Sequence, residues 1–135
     1  MSTPDIETIK SDDQILAMVI RHSYSPTKTT FVTPHEFNQQ VGFIVYPKGT
    51  TIPRHRHLPQ ERKIIGTSEV ILVKSGRCQL EIFDNAGTSV RRVGLTAGDL
   101  VILSGGGHGF ALEEDTVLVE VKQGPFVAGD DKVHF

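Results

Sequence analysis

Two histidines one residue apart, His55 and His57, carry the clearest chemical signal in this sequence. In an extended strand, residues i and i+2 share a face, so the two imidazoles would project together while Arg54 and Arg56 face the other way. Imidazoles so placed can chelate one transition metal without bending the backbone. A working site needs a third and a fourth ligand from elsewhere in the chain. The surrounding stretch, Gly49 to Gly76, also holds two glutamates (Glu61 and Glu69), a basic loop and a strand-like run.

The remaining reactive residues have plainer readings. His22, His35 and His134 are expected to be solvated or hydrogen-bonded histidines. Glu61-Arg62-Lys63 reads first as a solvated charged loop and second as a recognition element for an anionic group. Arg54 and Arg56 suit packing or subunit contacts. Ser104-Gly105-Gly106-Gly107 has the composition of a phosphate cradle but lacks the Lys-Ser/Thr and helix of a P-loop, so a tight corner is expected there. Cys78 falls on an apolar strand face and reads as a buried thiol. Tyr24 and Tyr46 could act as acids only from within a cavity.

These groups must be held by short strands. Thirteen glycines and seven prolines are spread as punctuation, which favours many strands and turns over long helices. Strands are expected at Val41–Tyr46, Thr51–His57, Glu69–Lys74, Arg77–Phe83, Thr88–Val93, Leu100–Leu103, Phe110–Leu112 and Thr116–Lys122. In Arg77–Phe83 the residues Cys78, Leu80 and Ile82 alternate with Arg77, Gln79 and Glu81, and Asp84-Asn85-Ala86-Gly87 signals a hairpin. Ile15–Ile20 is either a strand or one helical turn. Residues 1–13 read as a weakly ordered lead-in and 123–135 as a tail packed loosely across the fold. The pattern is all-β, a sandwich or barrel.

A chain of 135 residues suits a single domain, 1–135. Fourteen basic and sixteen acidic residues give a net charge of -2, which offers no footprint for nucleic acid or a membrane surface. One cysteine excludes an internal disulfide and fits a reducing compartment. MSTPDIETIK lacks the basic start and apolar core of a signal peptide, and no apolar run approaches the roughly 20 residues of a bilayer span. A cytoplasmic protein is expected.

Two motifs then resemble those of the cupin superfamily. Gly49, five residues and His55-Arg56-His57 match the first half of its first motif, and Glu69, six residues and Gly76 match the second half. Eleven residues separate His57 from Glu69, where three or four are usual. Gly98-Asp99 and His108-Gly109-Phe110 match the ends of the second motif, with Ser104 in place of proline and a spacing one residue short. The resemblance implies a small single-domain cupin with a double-stranded β-helix (jelly-roll) barrel. It also implies one divalent transition metal (Fe, Mn, Ni, Cu or Zn) held by His55, His57, Glu69 and His108. Glu61 stands at the usual spacing after His57, but Glu69, opening a strand in register with Gly76, is the preferred carboxylate.

The fold hosts many chemistries. The leading expectation is a metalloprotein that binds a polar small molecule, sugar-like or carboxylate-bearing, and acts on it as an isomerase, lyase or dioxygenase. The alternatives are a non-catalytic binding or sensor module, or a metal-free sugar-nucleotide isomerase with His55 or His57 as general base. A homodimer is expected, because short-stranded barrels leave exposed edges.

Overall fold

The computed structural model describes residues 4–129 and 131–135, and every regular element among them is a strand. In chain order these are β1 (Ile6–Ser11), β2 (Gln14–Ile20), β3 (Thr30–Phe31), β4 (Gly42–Phe43), β5 (Glu69–Ser75), β6 (Arg77–Phe83), β7 (Ser89–Thr96), β8 (Leu100–Leu103), β9 (Gly107–Leu112) and β10 (Val117–Lys122). Among the described residues no helix is long and apolar enough to cross a membrane. Beside the expectation of one domain stands a chain that packs as two compact units. Unit 1 comprises Met1–Tyr24 and Thr67–Phe135, and unit 2 comprises Ser25–Gly66.

Unit 1 contains two antiparallel sheets. Five strands run in the order β1-β2-β8-β5-β10 and three in the order β7-β6-β9. Neither sheet closes on itself, so β1, β10, β7 and β9 are edges. The sheets face each other, with β1 and β5 against β7 and β2 against β6. Between them lies a core that includes Leu16, Val19, Ile71, Val73, Leu80, Ile82, Leu95 and Val101. Burying each such side chain contributes about 1.5–3 kcal/mol. A periodicity of two aims Ile71 and Val73, and Leu80 and Ile82, inward, while β2 is buried from Leu16 to Ile20 and shifts register at Leu16.

The β6–β7 hairpin shows how local sequence fixes this register. Cys78, Leu80 and Ile82 are buried, while Arg77, Gln79 and Glu81 are more exposed. Asp84 Oδ1 accepts hydrogen bonds from the backbone N–H of Ala86 (3.0 Å) and Thr88 (2.9 Å), and Gly87 takes the positive φ of 84° that closes the turn. At the β5–β6 turn, Gly76 has φ 93° and lies against the backbone of Asp115, where no Cβ would fit.

The structure departs from the sequence reading at the beginning of the chain. Ile6–Ser11, inside the supposed lead-in, is a strand paired along its length with β2, which is itself a strand rather than a helical turn. As the edge of its sheet, β1 needs few apolar residues. Residues 1–3 lie outside the described residues.

Unit 2 is less regular. Val41–Tyr46 contributes only Gly42–Phe43 to a two-residue ladder with Thr30–Phe31. The strand expected at Thr51–His57 does not form. Gly49 at φ 89° turns the chain, Pro53 withholds an N–H, and no strand of unit 2 pairs with the segment. Every residue from Tyr46 to Thr67 is exposed.

Candidate functional site

The core-facing sides of the two sheets in unit 1 turn polar at one end. In the β5–β10 ladder Glu69 pairs with Lys122 and Ile71 with Glu120, so all four lie on one face and Glu69 is the diagonal neighbour of Glu120. That face is the inner one, since it continues into buried Ile71 and Val73. On the other sheet His108, Phe110 and Leu112 pair with Ile82, Leu80 and Cys78 and share their inner face. Antiparallel pairing thus brings Glu69, Glu120 and His108 to one place. His108 Nε2 lies 3.6 Å from Glu69 Oε2.

The three groups border a pocket of about 950 Å³, with Ile71 and Leu118 as its apolar floor and Lys132, His134 and Phe135 of the tail among its walls. The tail reaches this place because the Phe135 ring stands edge-on to Phe83, with centroids 5.1 Å apart and an interplanar angle of 87°.

Burial sets the protonation of the site. Glu69, with 12 % of its side chain exposed, is pushed from 4.5 to about 7, first by desolvation and then by its hydrogen bond and charge interaction with Glu120. At about 7, Glu69 exchanges its proton around neutral pH, and in its protonated form it donates to Glu120, which has Lys122 Nζ 3.9 Å away. Burial also lowers the pKa of His108, and Lys132 adds to this, while Glu120 opposes it. At 3.6 Å, Glu69 and His108 form no hydrogen bond with each other. They are a proton donor and a proton acceptor facing the same space. Acid and base poised near neutrality are what proton-transfer sites use.

The other expected ligands lie in unit 2. The His55 and His57 rings stand edge-to-face with centroids 5.4 Å apart, and both residues are exposed. His55 Nδ1 is 2.9 Å from the Pro53 carbonyl, which can only accept, so Nδ1 carries the proton and Nε2 keeps its lone pair for another partner. Glu61 is exposed on the same irregular segment. Among the described residues, no group of three or more His, Cys, Asp or Glu side chains is placed to hold one metal ion.

Sequence reasoning did not single out Glu120 or Lys132, and it set His134 aside. The signal for Glu120 was present but inverted. In VLVEVK the valines look like the buried face, yet Val117, Val119 and Val121 are 51, 40 and 55 % exposed, and it is Leu118 and Glu120 that turn inward.

A buried carboxylate lies elsewhere in unit 1. Asp99 is 1 % exposed and accepts hydrogen bonds from the backbone N–H of His22 (2.8 Å) and Thr96 (2.9 Å). It also accepts from the Arg21 guanidinium at 3.3 Å, and His22 Nδ1 lies 3.0 Å away. Burial pushes its pKa up, but these hydrogen bonds and the Arg21 charge outweigh it, and Asp99 titrates below the usual carboxylate range.

No protein-family model, no curated protein and no solved structure matches the chain.

Proposed function

We propose that this is a cupin-type protein that binds a polar small molecule in the unit 1 pocket and moves a proton on it with Glu69 and His108. The convergence of these two groups from opposite sheets, beside Glu120, carries the reading. The pocket volume lies in the roughly 300–1,000 Å³ range of small-molecule sites. Its Lys132 and His134 favour a ligand with carboxylate or phosphate character, and its carboxyl groups favour hydroxyls, as on a sugar acid or sugar phosphate. Glu69 in its protonated form gives a proton to a ligand oxygen, and neutral His108 accepts one. Such a pair suits isomerisation or elimination. The five-over-three arrangement of antiparallel sheets supports a jelly-roll sandwich as the fold.

A metal-dependent variant of this reading has its own support. Two ligands bound to one ion at about 2.1 Å each stand roughly 3 Å apart, and the Glu69–His108 contact of 3.6 Å is close to that. These two residues would hold the ion, with its remaining positions left to water or the ligand. The ion would add Lewis-acid polarisation of a bound oxygen.

Calorimetric titration with sugar phosphates, sugar acids and dicarboxylates tests the proposal. Binding to the native protein should be lost or weakened at least tenfold in Glu69→Gln and His108→Ala. Undiminished binding in both variants would refute it. Elemental analysis of untagged protein decides the metal variant: about one transition metal per chain supports it, and none before or after reconstitution removes it.

A further inference from the structure

Beside the first pocket, and also within unit 1, lies a second cavity of about 400 Å³. The two share Thr67, Lys132 and His134 as a common wall and differ in what lies beyond it. Glu69, Glu120 and His108 line the first cavity alone, whereas Pro125, Phe126 and Val127 line the second alone. A ligand crossing the wall therefore meets a proton-transferring zone, a cationic zone and an apolar zone, in that order.

The apolar zone is left open by the fold. Phe126 and Val127 are 89 and 60 % exposed, although they lie in succession along one cavity wall. Single exposed apolar residues are ordinary, but three consecutive ones along a concave wall form a patch that a ligand can cover. A proline and a phenylalanine present flat faces, which suit a planar ring better than a flexible chain.

The zone is also held in place. Gln123, two residues before Pro125, accepts a hydrogen bond from the Ser68 N–H at 2.8 Å through Oε1. Its Nε2 donates to Ser68 Oγ, again at 2.8 Å. This two-point attachment fixes the start of the tail to the residue that precedes β5, and so to the strand that carries Glu69.

Charge indicates what joins the two ends of the ligand. Around the second cavity stand Lys122 and Lys132, against the single carboxylate of Asp131 among the described residues. Lys132 borders both cavities, and its charge lowers the pKa of both Glu69 and His108, which places it within electrostatic reach of each. An anionic group on Lys132, with His134 beside it, lies between the acid–base pair and the apolar zone.

We propose that the second cavity is the subsite for an aromatic group, and that the ligand is a sugar acid or sugar phosphate bearing one as an aryl glycoside. Its hydroxyls meet Glu69 and His108, its anionic group meets Lys132, and its ring lies on Pro125, Phe126 and Val127. This rests on the binding proposed for the first pocket and names the part of the ligand that the first pocket does not hold.

Matched ligands titrated calorimetrically into the full chain test it. One pair is methyl and phenyl glucuronoside, and the other is methyl and phenyl glucoside 6-phosphate; within each pair only the group on the anomeric oxygen changes. In at least one pair the phenyl compound should bind the native protein roughly ten- to a hundredfold more tightly, as burial of one aromatic group predicts. Phe126→Ala removes a side chain at an 89 % exposed position and should bring the two affinities within about threefold of each other. Nuclear Overhauser effects should connect the phenyl protons with the Val127 methyl groups, and Lys132→Gln should weaken every ligand that binds. Equal affinities within both pairs, or a phenyl advantage that survives in Phe126→Ala, would overturn the subsite and leave the reading of the first pocket standing. Failure of all four compounds to bind would overturn the subsite together with the reading on which it rests.

Discussion

Two carboxylates of unit 1, Asp99 and Glu69, are treated in opposite ways. Asp99 is surrounded by donors, the His22 and Thr96 N–H groups and the Arg21 guanidinium, and titrates below the usual range. Glu69 is given another carboxylate as its neighbour and an imidazole that burial keeps neutral, and it titrates at about 7. The first arrangement stabilises the charged form, and the fold with it. The second holds a proton in a ligand-sized pocket at a cost to the fold. Stability and chemistry are thus built from the same side-chain group by changing what faces it.

Removing the charge at each site should move stability in opposite directions. The largest effect is expected for Asp99→Asn, which keeps one acceptor oxygen but turns the other into an NH2 donor facing N–H groups, and leaves the Arg21 charge without its counter-charge. Denaturant unfolding at pH 7 should show a loss of about 2–4 kcal/mol. Glu69→Gln keeps the shape of the protonated carboxyl. It should stabilise the protein on the order of 1–2 kcal/mol at pH 8 and change little at pH 4. A loss of stability at pH 8 would contradict the role given to burial at Glu69.

The pH profile follows from the same shifts. Because the folded pKa of Glu69 is raised, the unfolded chain ionises first, and stability should fall as pH rises from 4.5 to about 7 and then level off. Asp99, with its folded pKa depressed below 3.8, contributes stability that is full above that value and lost as pH falls through the folded one. Denaturation series from pH 2 to 9 should show both slopes, and Glu69→Gln should erase only the upper one. The smallest effect is expected at Lys122, part-exposed and 3.9 Å from Glu120. Its charge lowers the Glu69 pKa, so Lys122→Met should raise the Glu69 carboxyl further, by roughly a few tenths of a unit in an NMR titration.

Much of the framework was legible in the sequence because it is local. The alternation of Cys78, Leu80 and Ile82, the turn chemistry of Asp84 and Gly87 and the apolar run Leu100–Leu103 read directly as strands and hairpin. The strand Ile6–Ser11 was missed because an edge strand needs little apolar pattern. The HxH strand was expected on periodicity alone, and periodicity supplies no ladder partner. Glu120 was missed for a related reason. Its position beside Glu69 depends on the register between β5 and β10, more than forty residues apart, and a one-residue slip would have turned it outward. His108 and Glu69 were singled out through the family motif, while their contact follows from the pairing of β9 with β6.

The measurement closest to the centre is calorimetry of ligand binding at pH 7 in buffers of different ionisation enthalpy, using the same sugar phosphates and acids. If Glu69 holds a proton within the binding pocket, binding to the native protein should take up or release a fraction of a proton, and that exchange should vanish in Glu69→Gln. Binding that is independent of the buffer in the native protein, or proton exchange that survives in Glu69→Gln, would contradict it.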